Sequence, residues 1–297
     1  MQRPSVFYKY TSSSTALLVL DNSRLRWSSP LLFNDVAEFQ RMPCFDPTVA
    51  YAHKLLPEVI AGAVFDGAML NETRLSPRMK VLLHLVKGLA ATGLKRKDLL
   101  EVLASEVPDT DDRIEAGLRE HFEALDLSKA RVLCVTTEYN SDAMWGNYAE
   151  AHAGFVLGFK HIEKRSTPLL EAQPVAYSEE RPVVGSGLDF LLYGDTSELR
   201  ARTHRAVCYT KKRAWSYEQE WRALTWRPNE HDKQHGDYLF YPEELESVTL
   251  GARASESTEA KVREVLSAKY PSAILYRMKV RSGELTRCTF PSSEGEA

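Results

Sequence analysis

The residues best equipped for acid–base or electrostatic chemistry sit close together in segment 217–223, Tyr-Glu-Gln-Glu-Trp-Arg-Ala. Read as a strand, alternation places Glu218, Glu220 and Arg222 on one face and Tyr217, Trp221 and Ala223 on the other. Two carboxylates about 7 Å apart beside a guanidinium can keep one charge and perturb the other. A solvent-facing charge ladder has the same pattern. Segment 144–154 reads as a helix with Trp145, Tyr148 and His152 at i, i+3 and i+7. Such a face can clamp a flat ring and offer an imidazole hydrogen bond, or it can be an aromatic stripe in the core. A third group comes earlier: Tyr8, Lys9 and Tyr10 on one strand, Trp27, Ser28 and Ser29 on the next, then Asn34 and Asp35 in a turn. Polar groups at strand ends and turns are favoured binding positions, although turn chemistry alone accounts for Asn-Asp.

Weaker signals complete the inventory. His231 and His235 are four apart, but Pro228, Asn229 and Gly236 around them read as an exposed loop, so no metal site is expected there. Lys211, Lys212 and Arg213 form a compact basic patch, able to meet a phosphate or to be an ordinary solvated loop. Phosphate-loop, dinucleotide-fingerprint, zinc-protease and nucleophile-elbow motifs are all missing from the sequence.

Those groups need elements to position them. Strands are expected near 6–10, 25–28, 131–137, 154–160, 174–178, 217–226, 245–250, 274–280 and 285–290. Helical periodicity dominates 48–127, where Ser76-Pro77 is a cap followed by a first-turn proline. A helix over 141–151 and another over 188–209, interrupted at Gly194-Asp195, are also expected. The expected fold is α+β: a mixed, mainly antiparallel sheet in a single domain, with 48–127 as a helical insertion and 291–297 as a frayed tail.

A net charge of −3 gives no global pull toward nucleic acid or anionic lipid. The four cysteines are far apart in sequence, which fits a reducing compartment, and no apolar run is long enough to cross a bilayer. The expectation is a cytoplasmic protein without a membrane partner.

Four blocks together carry a family resemblance: Tyr8-Lys9-Tyr10, Phe33-Asn34-Asp35, the Met-Trp…Tyr-Ala…His-x-Gly block at 144–154, and the Trp-x-x-Glu-x-Glu-aromatic-Arg block at 215–222. In this order they resemble the bacterial domain of unknown function 2971 family. A looser resemblance, in the order of strand motifs, is to ADP-ribosyltransferases. That likeness implies NAD as substrate, cleaved by a transferase or glycohydrolase of the toxin or phage-defence kind. It implies Glu220 as the catalytic carboxylate, Glu218 as the residue orienting a nucleophile, and His152 beside them. Tyr8, Lys9, Tyr10, Ser28, Asn34, Asp35, Trp145, Tyr148 and Arg222 become candidate contacts to a nucleotide-like molecule. A protein or nucleic-acid acceptor is compatible with it. Two other classes stay open at this point: a metal-dependent nuclease or hydrolase using Asn34, Asp35, Glu218 and Glu220, and a non-catalytic nucleotide or partner sensor.

Overall fold

A computed structural model describes residues 3–104, 109–124, 126–165, 167–227, 229 and 233–290. The expected frayed tail at 291–297 and the histidine pair's His231 lie outside the described residues. The chain divides into two compact units: Met1–Val36 with Asp126–Tyr177 and Lys211–Ala297, and Ala37–Leu125 with Ser178–Thr210.

The first unit carries a ten-stranded sheet. Its strands are β1 (Val6–Thr11), β2 (Arg24–Ser28), β3 (Ala130–Thr136), β4 (Phe155–Lys160), β5 (Gln173–Pro174), β6 (Glu220–Trp226), β7 (His235–Leu239), β8 (Leu245–Leu250), β9 (Ile274–Arg281) and β10 (Glu284–Thr289). Neighbours run β7-β2-β3-β1-β4-β8-β9-β10, with β6 also on β3 and β5 on β6. Every long pairing is antiparallel except β8 with β9. The fold class is therefore α+β with a mainly antiparallel sheet, and the early strands pair with those after residue 130, as expected.

Strand β3 is where the sheet divides. Along one edge it pairs with β6 over its whole length, from Glu220 opposite Thr136 to Trp226 opposite Ala130. A strand has only two edges, so β1 and β2 must share the other. Each touches it through a single residue: Tyr8 opposite Thr136, and Ser28 opposite Val132. Cys134 lies in the gap, and its carbonyl takes a hydrogen bond from the Lys9 ammonium at 3.1 Å. A side chain thus serves a backbone group that the fork leaves without a ladder partner.

One face of this sheet is the main core. Phe7, Leu133, Val135, Leu157, Phe159, Trp221 and Ala223 pack there with Ala16, Val19 and Leu20 of helix Ser13–Asn22 and Val262 and Leu266 of helix Glu256–Lys269. The Ser12 side chain starts the first of these helices by accepting from Thr15 N–H. The other face carries a smaller cluster around Tyr10, Met144, Trp145, Val156 and Met278.

The second unit is mostly helical. Ile60, Met79, Leu83, Val86, Leu99 and Leu192 form its core. Ser76 caps helix Pro77–Ala91 by accepting from Met79 N–H. Helices expected within 48–127 belong here, joined by helices Gly187–Tyr193 and Ser197–Cys208 from the second stretch of chain. Gly194 (φ +75°) breaks 188–209 where the sequence placed the interruption.

Candidate functional site

The buried opposite face of β6 fixes its register, and that register puts Glu220 and Arg222 on the side away from the main core. Glu218 arrives differently from the expectation. It ends a 3₁₀ turn, Arg213–Glu218, and the next residue, Gln219, is left-handed (φ +42°). Strand alternation therefore does not align Glu218 with Glu220; the backbone reversal at Gln219 delivers it to the same cluster.

All four charged groups are buried: Lys211 6%, Glu218 4%, Glu220 6% and Arg222 1% exposed. Arg222 grips Glu220 with two bonds, Nε to Oε1 at 2.7 Å and Nη2 to Oε2 at 2.8 Å. The Lys211 ammonium lies 2.6 Å from Glu218 Oε2 and 3.2 Å from Glu220 Oε2, and so ties the carboxylates together. Tyr148 Oη donates to Glu218 Oε1 at 2.5 Å. Tyr177 Oη accepts from Glu220 backbone N–H at 2.8 Å. The Lys211 charge also sits 5.0 Å from the Trp215 ring centre.

The electrostatics follow from burial opposed by partners. Burial drives the Glu220 carboxyl upward, and Lys211 and the Cys134 thiol that donates to it act against that rise. Burial pulls Lys211 down, but Glu220 and Glu218 outweigh it and hold the ammonium above the ordinary lysine range. Burial lowers the Arg222 guanidinium, with Asp35 opposing; a guanidinium in a two-bond pair with a carboxylate stays charged. Tyr148 is raised, first by burial and then by its bond to Glu218. The Cys134 thiol is raised well above its usual value by burial and by Glu220, so it is a donor here and not a nucleophile.

The structure gathers most of the expected residues. Asn34, exposed, bonds to Tyr148, and half-buried Asp35 acts on Arg222. Lys9 reaches Cys134 and feels the Glu220 charge. Ser28 shares this face by register through Val132, two residues along β3 from Cys134. Tyr8 faces the same side opposite Thr136.

Segment 144–154 needs correction. Its helix spans Asp142–Tyr148 only. Glu150, Ala151 and His152 then follow with φ of +50°, +47° and +70°. His152 is therefore not one helical turn beyond Tyr148. It returns to stack on Trp145, ring centres 6.5 Å apart and 10° between planes, and its carbonyl accepts from Arg253 N–H. Trp145 is fully buried, donates to the Tyr139 carbonyl at 2.9 Å and meets Tyr10 edge-on. It has no surface to offer a ring, so its part is to hold Tyr10 and His152. Tyr10 Oη accepts from Ser141 N–H.

Three contributors were not picked out as site residues by the sequence. Lys211 belongs to the basic patch read as able to meet a phosphate or to be a solvated loop, and it is the buried bridge between the carboxylates. Tyr177, on a two-residue strand, and Cys134, within β3, belong to no motif and carried no signal.

Residues 144–223 match the family described as protein of unknown function (DUF2971), so the resemblance to that family is borne out across the last two of its four blocks. Comparison with curated proteins and with solved structures found no match. The described part of the chain has no helix long and apolar enough to cross a membrane.

Proposed function

We propose that this cluster is the reaction centre of an NAD-consuming ADP-ribosyltransferase or NAD glycohydrolase. The observation that carries the reading is a buried carboxylate, Glu220, kept beside a second one that connects through Tyr148 to exposed Asn34. Cleaving a nicotinamide–ribose bond builds positive charge on the sugar, and a preorganised anion in a dry site stabilises that charge most as it peaks. Glu220 fits the fixed anion, because Arg222 and Lys211 leave its carboxylate no freedom to turn. Glu218 and Tyr148 fit the role of handling the incoming nucleophile's proton, since their short bond links a carboxylate to a hydroxyl on the side of Asn34.

A metal-dependent reading is less well supported by the same geometry. Lys211, Arg222 and Tyr148 already face the oxygens of Glu218 and Glu220, the positions a divalent cation would take.

The test is to incubate the full chain with NAD and to measure nicotinamide release, for wild type beside Tyr148→Phe. Release that falls by about 10² or more in the variant, with the fold intact, supports the proposal. A wild type that releases no nicotinamide overturns it.

A further inference from the structure

A second polar cluster lies further across the same sheet face and belongs to no role described above. Its origin is a β-bulge. Between Leu245 and Ser247 the β8 register shifts against β4, so Glu246 and Ser247 together oppose Gly158. A side chain at Gly158 would meet Ser247 Oγ at 2.4 Å, the Tyr8 ring at 3.2 Å and Glu246 Oε2 at 3.3 Å. The glycine therefore leaves room for three polar side chains at one place.

Arg287 of β10 closes the cluster. Its guanidinium carbon lies 3.6 Å from the Tyr276 ring centre, 4.7 Å from Tyr139 and 5.9 Å from Tyr8. Arg287 Nε and Nη2, Glu246 Oε2 and Ser247 Oγ are all buried without a hydrogen-bond partner among the described residues. Burial raises the Tyr8 phenol, Arg287 lowers it by its charge and by a side-chain hydrogen bond, and Glu246 raises it, which places both charges around one ring and leaves Arg287 only partly satisfied. Buried donors and acceptors left without partners are costly, so a fold that keeps four together calls for a partner it does not itself supply.

We propose that this cluster is a binding site for a phosphate-bearing small molecule of the nucleoside monophosphate class. The Nε–Nη2 edge of an arginine matches two oxygens of an oxyanion. Beside it opens a cleft of about 540 Å³ lined by Tyr139, Tyr276, Arg281, Arg287 and Thr289, within the range of small-ligand sites. A phosphate has a third oxygen for Arg281, which a carboxylate lacks. Glu246 and Ser247 do not line the cleft itself, and their buried oxygens call for hydroxyl donors of the kind a sugar carries. Three rings surround the Arg287 guanidinium, so the ligand enters by turning aside Tyr139, which is half-buried and lines the cleft.

The site is independent of NAD cleavage and is tested by binding alone. Calorimetry on the full chain would compare inorganic phosphate, AMP and succinate. The expected result is binding of phosphate and tighter binding of AMP, with none of succinate. Arg287→Lys, which loses the two-bond edge, should weaken both by about tenfold or more at unchanged circular dichroism. Arg281→Gln, at an exposed position, should weaken them severalfold and decides the matter if Arg287→Lys does not fold. Absence of heat with phosphate and AMP, equal binding of succinate, or unchanged affinity in the folded variants would each overturn the proposal.

Discussion

Glu220 accepts from Arg222 twice and from Lys211 and Cys134 besides, and that saturation changes what a substitution there would report. The sequence pattern suggests Glu220→Gln as a clean removal of charge with the fold untouched. The structure predicts otherwise. A glutamine keeps one acceptor oxygen but turns an amide donor into the cluster and takes away the charge that neutralises Arg222, leaving Lys211 to Glu218 alone, a loss in the range of about 3–5 kcal/mol. Chemical denaturation should show it as a lower midpoint with an unchanged slope; a midpoint like that of wild type would mean the pair is not buried as described. Tyr148→Phe is the gentler probe. It removes one donor from Glu218 and should cost about 1–3 kcal/mol, measurable in the same experiment. At this scale the sequence conveyed the residue types and most members of the cluster. It could not convey Lys211, because whether a lysine beside a tryptophan is buried or solvated depends on carboxylates brought to it by a turn seven residues later.

The elements that hold the site contain one segment no periodicity could reveal. Glu150, Ala151 and His152 are consecutive left-handed residues without a glycine among them, each carrying a steric cost of about 1–2 kcal/mol. Helical spacing in 141–151 predicted a longer helix, and the local propensities of Glu and Ala agree with it. Tertiary contacts decide instead: Gly154 N–H bonds to Ala149 O, His152 N–H to Trp145 O, and Arg253 N–H to His152 O. Ala151 is exposed, so Ala151→Gly should relieve strain without touching packing. The gain should reach up to about 1 kcal/mol after the extra chain entropy of glycine is subtracted. A rise in melting temperature checks it, and a fall would show that the turn is not strained. Strand β7 shows a different limit. Its first residues, His235 and Gly236, read as part of an exposed loop, yet 235–239 pair with β2 from His235 opposite Ser28 to Leu239 opposite Arg24. Only a partner more than two hundred residues away makes a strand of them.

For the whole molecule, several buried groups hold their protons more tightly folded than unfolded. Lys211 is raised because its carboxylates outweigh burial. Tyr10, Tyr148 and Tyr177 are raised chiefly by burial, and burial pushes Cys208 up to about 12. A raised group contributes stability that is complete below its unfolded value and is lost as pH climbs toward the folded one. Lys9, lowered by burial, works in the opposite sense but is outnumbered. Melting temperature should therefore be flat from neutral pH to about 9 and fall steeply above about 10. Tyr148→Phe should show a shallower fall, because one fewer proton separates the two states. A profile that rises above pH 10 would contradict the burial of these groups. The α+β class and the pairing of early strands with late ones could be read from alternation and helical period. Membership of the helical unit could not, since residues 178–210 join it from across the chain.

The pairing of β1 with β4 has a consequence for how the chain is made. Val6 lies opposite Lys160 and Thr11 opposite Phe155, so β1 leaves the ribosome well before the strand that will flank it. At about 5–20 residues per second the interval is roughly 7–30 s. Through that time Val-Phe-Tyr-Lys-Tyr-Thr is an unpaired segment with strong β-propensity, the composition that seeds aggregation. Lys9 is its single charge. The ammonium that later serves the fork at Cys134 therefore has an earlier task, keeping an orphan strand from pairing with its own kind while its proper neighbours are still being synthesised.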